Sequence, residues 1–230
     1  NTTAITDVAF QNVTNVENIT LDSGTGALTL GAYASAAGIV KVTGIAASVN
    51  TISAAAMPTS LEIIAATSTG VNDILTGGTG ADTFVFSGTT GLQDGDVITG
   101  TAGADVIQLN NTAGAVTAEA DFDDIATVTN ITVKDNDGGN AATAQAIGLT
   151  ISAIAETTAQ TITIDASAIT DSNDILTVTN SAASTTTLFN ITGGAGADII
   201  AGSNAVDTII GGSGVDLITG NIGADILTGG

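Results

Sequence analysis

The sequence predicts an all-β chain wound as a right-handed parallel β-helix, a solenoid of short stacked strands. Three observations carry that expectation. Aspartates recur nine residues apart near the C-terminal end, at Asp198, Asp207, Asp216 and Asp225, each after a glycine-rich turn and before aliphatic residues. Threonine alternates with valine, isoleucine or leucine in short runs along much of the chain, the period of two expected of half-buried strands. No run with helical periodicity is long enough to cover a sheet.

Residues 1–67 read as a β-rich segment, with ITDVAF, VENITL, ALTL, GIVKV and SLEII as its strands. SAAAM at 53–57 reads as a loop or tight corner, and Pro58 marks a boundary before SLEII. A sandwich of antiparallel strands is the competing arrangement for residues 1–65, since sandwiches also string short strands between turns.

Residues 68–108 carry the first nine-residue units. The best is GGTGADTFV at 77–85; weaker copies are STGVNDILT at 68–76, GLQDGDVIT at 91–99 and GTAGADVIQ at 100–108. Their aspartates are Asp73, Asp82, Asp96 and Asp105. The interval between the two pairs is fourteen, as if SGTTG at 87–91 were inserted. Either the coil continues with one bulged corner or it widens there. Phe84 and Phe86 alternate in TFVF and read as core.

Residues 109–192 read as a further β-rich solenoid segment, with strands at 125–133, 161–164, 175–178 and 188–191 and a degenerate unit, ITDSNDILT, around Asp174. Two acidic clusters, DFDD at 121–124 and DNDGG at 135–139, read as solvent-facing turns or as extra calcium sites.

Residues 193–230 hold four consecutive units: GGAGADIIA, GSNAVDTII, GGSGVDLIT and GNIGADILT. The pattern G-G-x-G-x-D-x-U-x is a calcium-binding parallel β-helix repeat. Six residues turn and three form a strand whose central side chain, here Ile200, Ile209, Ile218 or Leu227, points inward. Two units complete a coil of eighteen residues. Asp198 and Asp216 therefore fall on one edge, and Asp207 and Asp225 on the other. Stacked carboxylates repel, and a hard cation bound with backbone carbonyls removes that cost; a mixed oxygen cage suits calcium. The turn before Asp207, GSNAVD, lacks two glycines and reads as a weak site.

Composition narrows the function. The chain has 230 residues, 23 acidic against 2 basic, and a net charge of -21. Nucleic acids and anionic membranes require basic patches that this chain lacks. Without histidine or cysteine there is no ordinary general base or thiolate nucleophile, so no enzymatic activity is expected. No run of apolar residues is long enough for a transmembrane helix. The chain starts at an Asn, shows no signal peptide and stops in a glycine pair that would open another unit, and it reads as part of a longer polypeptide.

The nonapeptides resemble those of the RTX family of secreted proteins. The low-lysine, Ala/Thr/Gly-rich chain, and above all FNITGGAGADIIAGSNAVDTIIGGSGVDLITG at 189–220, resembles bacterial surface-layer proteins of the Caulobacter type. The resemblance implies a calcium-binding β-roll exported by type I secretion, folding in external calcium and self-associating into a surface lattice or filament, with cell-surface polysaccharide as a further partner. It implies metal ligation by Asp198, Asp207, Asp216 and Asp225, with carbonyls of Gly193, Ala195, Gly211 and Ser213, and by Asp73, Asp82, Asp96 and Asp105 at the same motif position. An adhesin stalk, or the calcium-binding module of a secreted toxin or enzyme, is the alternative.

Overall fold

A computed structural model describes residues 3–23, 25–45, 48–65, 71–87, 92–93, 95–111, 116–118, 125–135, 144, 146–151, 160–180 and 185–230. DFDD and all of DNDGG beyond Asp135 lie outside the described residues. The chain forms two compact units, one of residues 1–86, 95–107 and 124–128, the other of residues 87–94, 108–123 and 129–230.

Both units are parallel coils. In the first, one face stacks Thr3–Ile5, Thr25–Thr29, Thr51–Ser53, Ile74–Thr76, Val97–Thr99 and Ile125–Ala126 in chain order. A second face stacks Asn18–Thr20, Lys41–Thr43, Glu62–Ile64 and Thr83–Ser87. All the pairings are parallel, which excludes the antiparallel sandwich. The register puts Leu28 beside Ile52, then Leu75, Ile98 and Ile125, and all five are buried. On the second face Val42, Ile63 and Phe84 form a matching buried column. Each such side chain contributes about 1.5–3 kcal/mol by leaving water. These columns explain how a chain poor in aromatics builds a core: every coil places one aliphatic side chain on the one before it. Phe86 is buried as well.

The register also decides between the bulged corner and the wider coil. Asn18 pairs with Lys41, Lys41 with Glu62, Thr51 with Ile74, and Ile74 with Val97. Coils of twenty-one to twenty-three residues thus precede the SGTTG segment as well as span it. The wide coil belongs to this unit, and the nonapeptides at 68–85 are set within it.

In the second unit one face stacks Val116–Ala118, Ala146–Ile151, Ile175–Asn180, Ile199–Ala201 and Leu217–Thr219. The other stacks Asn130–Asp135, Gln160–Asp165, Thr187–Thr192, Thr208–Ile210 and Ile226–Thr228. Here the coil tightens along the chain. Asn130 pairs with Thr163, Gln160 with Thr187, and Asn190 with Thr208, intervals of thirty-three, twenty-seven and eighteen. The final value is the predicted two-unit coil. Ile200 and Ile209 are buried as expected. Ile218 is half-buried and Leu227 is 48% exposed, each on the end strand of its sheet.

Two elements depart from the sequence reading. ITDVAF is not one strand: extension ends at Ile5, and Asp7–Phe10 form a 3-10 turn. That turn presents Asp7 to a short helix, Ala32–Ala37, which no periodicity announced. Asp7 Oδ1 accepts from the N–H groups of Gly31 (2.8 Å) and Ala34 (2.9 Å), and Oδ2 accepts from Tyr33 (3.2 Å). A carboxylate from far upstream thus satisfies the orphan donors of the helix start and opposes its positive end. Gly38 closes the helix at φ 98°, a left-handed conformation that glycine adopts without strain.

Candidate metal centre

All eight predicted aspartates occupy equivalent turn positions at strand starts. Asp73, Asp82, Asp96, Asp105, Asp198 and Asp207 are buried, and Asp216 and Asp225 are half-buried. The expected edge pairs are present: Asp198 donates its backbone N–H to Asp216 Oδ1 and Asp207 to Asp225 Oδ1, each at 3.0 Å. In the first unit Asp73 donates to Asp96 Oδ1 at 2.7 Å and Asp82 to Asp105 Oδ1 at 2.8 Å.

These bonds show a second task for the carboxylates that repulsion alone had not suggested. One oxygen receives an N–H from the preceding coil. In three of them the other receives the N–H at the second position of its own turn: Gly78 to Asp82 (2.6 Å), Gly194 to Asp198 (2.8 Å) and Ser203 to Asp207 (2.6 Å). Asp82, Asp198 and Asp207 therefore each close their turn and tie two coils together. The first glycine of the turn leaves the carboxylate room, because a Cβ on Gly77, Gly100, Gly193, Gly202, Gly211 or Gly220 would run into the aspartate five residues on.

Burial raises the carboxyls of Asp82, Asp105 and Asp198 above the ordinary carboxylate range. Backbone donors offset part of this, and the stacked charges of Asp105 and Asp216 add to the rise at Asp82 and Asp198. Desolvation thus outweighs the protein donors at these three carboxylates, a cost that a bound cation would relieve.

The edges differ in which groups lie beside their turns. Along the Asp198–Asp216 edge a cleft of about 350 Å³ is lined by Gly193, Gly194, Ala195, Gly212 and Ser213, with Ser167, Ile169, Thr170 and Thr192. Three of the four predicted carbonyl residues line it, and the fourth, Gly211, turns its carbonyl toward Gly193, where a Cβ would collide with it. Backbone carbonyls along such a glycine-rich turn are the kind of hard oxygen donor that suits calcium. On the Asp207 edge, by contrast, the hydroxyl of Ser203 lies 3.0 and 3.1 Å from the two Asp207 oxygens. The amides of Asn180 (3.3 Å) and Asn221 (2.7 Å) donate to the Gly202 carbonyl. Near Asp82 and Asp105, the Thr101 hydroxyl donates to the carbonyls of Gly77 and Gly78. The substitution of Ser203 for the second glycine was visible in the sequence; its hydroxyl acting as a donor to Asp207 was not.

A family model for the RTX calcium-binding nonapeptide repeat matches four stretches, residues 68–86, 90–111, 190–209 and 201–230. The chain carries RTX calcium-binding repeats. RTX nonapeptides bind calcium ions, so the metal inferred from turn chemistry is the metal of the matched repeats. The matches fall on the turns that place the eight aspartates and leave residues 1–67, 87–89 and 112–189 uncovered. No curated protein and no solved structure matches the chain.

Proposed function

We propose that this chain is the calcium-stapled structural part of a secreted protein, and that it self-associates on the cell surface as a subunit of a surface layer or matrix filament. The observation that carries the reading is the RTX coil, whose carboxylates stack in register and accept backbone N–H groups from the preceding coil. Extracellular calcium is concentrated enough to occupy sites of modest affinity, so an acidic chain would gain its stability after export. The residue set, without histidine or cysteine, supports a structural role over a catalytic one. Among the described residues no helix is long and apolar enough to cross a membrane.

Calcium would screen the -21 charge that opposes contact between copies. Light scattering during calcium titration, followed by electron microscopy, tests the reading on the full-length protein. Growing sheets or filaments are expected. Particles that stay monomeric at millimolar calcium and high protein concentration would overturn it and leave a monomeric RTX module, as in an adhesin stalk.

Within the coil, the site best suited to calcium joins Asp198 and Asp216 with carbonyls among Gly193, Ala195, Gly211 and Ser213. The pairs Asp73–Asp96, Asp82–Asp105 and Asp207–Asp225 are the further candidates, and Asp207–Asp225 is the weakest because protein donors already serve it. Asp216→Ala should lower the number of bound ions in isothermal titration. Asp207→Ala should leave that number nearly unchanged. It should instead lower the urea midpoint in saturating calcium by about 2–5 kcal/mol in stability, because the buried N–H groups of Phe189 and Ser203 lose their acceptor. Equal losses of calcium in the two variants would contradict the ranking of the edges.

A further inference from the structure

Outside the four matched repeats, the second unit gathers three carboxylates from two separate places in the sequence. Asp135 ends the strand Asn130–Asp135, and Asp171 and Asp174 lie in the turn that leads into Ile175–Asn180. One oxygen from each falls within 4.8 Å of the others. Strand Asn130–Asp135 pairs with Gln160–Asp165, Thr132 beside Asp165, so the turn that follows Asp165 comes up beside Asp135. The Asp174 N–H donates to the Asp171 carbonyl at 3.2 Å, and this tight turn sets both its carboxylates on the same cluster.

A group of acidic residues often means only a solvated surface, but this one is largely sealed. Asp174 is fully buried and Asp171 is 8% exposed. Among the described residues, Asp171 Oδ2 is shut off from solvent and accepts no hydrogen bond. A buried carboxylate oxygen without a donor forfeits its hydration with nothing in return, and two further carboxylates beside it add repulsion in a poorly screened setting. A small hard cation removes both costs at once, since it serves the unpartnered oxygen and neutralises its neighbours.

We propose that Asp135, Asp171 and Asp174 form a separate site for a hard divalent cation of the calcium type. It differs in kind from the nonapeptide turns. Its donors are three carboxylates, where each of those turns offers one carboxylate and several carbonyls. Its ion would join the end of one strand to the turn that starts another, in the stretch of the second unit where the coil is wide and the nonapeptide is too degenerate to match the RTX repeat model.

Calcium binding by equilibrium dialysis tests the site on the 230-residue chain, on Asp171→Asn, on Asp135→Asn and on the double variant. Each single variant should bind one ion fewer at saturation, and the double variant should also bind one fewer, because both residues serve the same ion. An unchanged count in the single variants, or a loss of two in the double one, would overturn the proposal. Circular dichroism in saturating calcium checks that each variant folds. If Asp171→Asn does not, Asp135→Asn decides alone, since Asp135 is only half-buried at a strand end. Asp216→Ala measured alongside keeps this site distinct from the RTX sites. A loss with Asp216→Ala and none with Asp171→Asn would sink this proposal alone, and the reverse result would sink the nonapeptide assignment and keep this site.

Discussion

Gly193→Val should prevent the last RTX coils from closing, even in saturating calcium. The Cβ of any larger residue at 193 would strike the Gly211 carbonyl of the next coil and the Asp198 carboxylate of its own turn. Neither obstacle can swing aside. The carbonyl belongs to a backbone held by the Gly211 N–H bond to Thr228, and the carboxylate is fixed by Leu176 and Gly194, each at 2.8 Å. Overpacking typically costs about 1–3 kcal/mol where side chains can yield. Here two backbones must separate, so the loss should exceed that range and take calcium binding on the Asp198 edge with it. Gly229→Val is the matched control, because a Cβ there meets nothing within 4 Å. Urea unfolding in calcium should show Gly229→Val close to the parent chain and Gly193→Val far below it. Equal midpoints would mean that the stacking of these turns is looser than described.

The second large effect is a reversal of pH dependence on removing calcium. Burial raises the carboxyls of Asp82, Asp105 and Asp198, so the folded chain without metal holds protons more tightly than the unfolded chain. A raised carboxyl contributes stability fully below the unfolded value, and that contribution is lost as pH rises through the folded one. In chelator, lowering the pH from neutral toward the ordinary aspartate value of about 3.9 should therefore favour the folded form and raise strand content. With calcium bound, the carboxylate is the stabilised form, and protons compete with the ion. The same acidification should then lower the melting temperature. Strand signal by circular dichroism in chelator and melting curves in saturating calcium, each at several pH values, read out both slopes; slopes of the same sign would mean that the buried carboxylates and the metal are not linked.

Much of this architecture was legible because an interval of nine, repeated, leaves few options. It fixed the edge on which each C-terminal aspartate falls and the aliphatic residue that follows it inward. Parallel pairing followed from the same repetition, and the β-roll of residues 193–228 matches it pair for pair. What escaped reading depends on contacts distant in sequence. Asp7 caps a helix that starts more than twenty residues later, and six residues are too few to show a helical period. The wide coil of the first unit could not be told from an insertion until the registers of Lys41 and Thr51 were known. The aspartates' acceptance of N–H groups from the preceding coil was hidden for the same reason, since Leu61 and Leu176 carry no motif. Asp135 and Asp171 sat in unrelated stretches, one in DNDGG and one in a degenerate nonapeptide, and only the fold brings them together.

The central claim is that calcium occupancy and strand formation in this chain are one event. Far-UV circular dichroism during a calcium titration from a chelated start at neutral pH, with bound ions counted in parallel by equilibrium dialysis, tests it most directly. The expected result is little strand signal in chelator and a cooperative rise that tracks bound calcium, since an ion bound to the folded state alone stabilises that state. Full strand content with no calcium bound would contradict the claim.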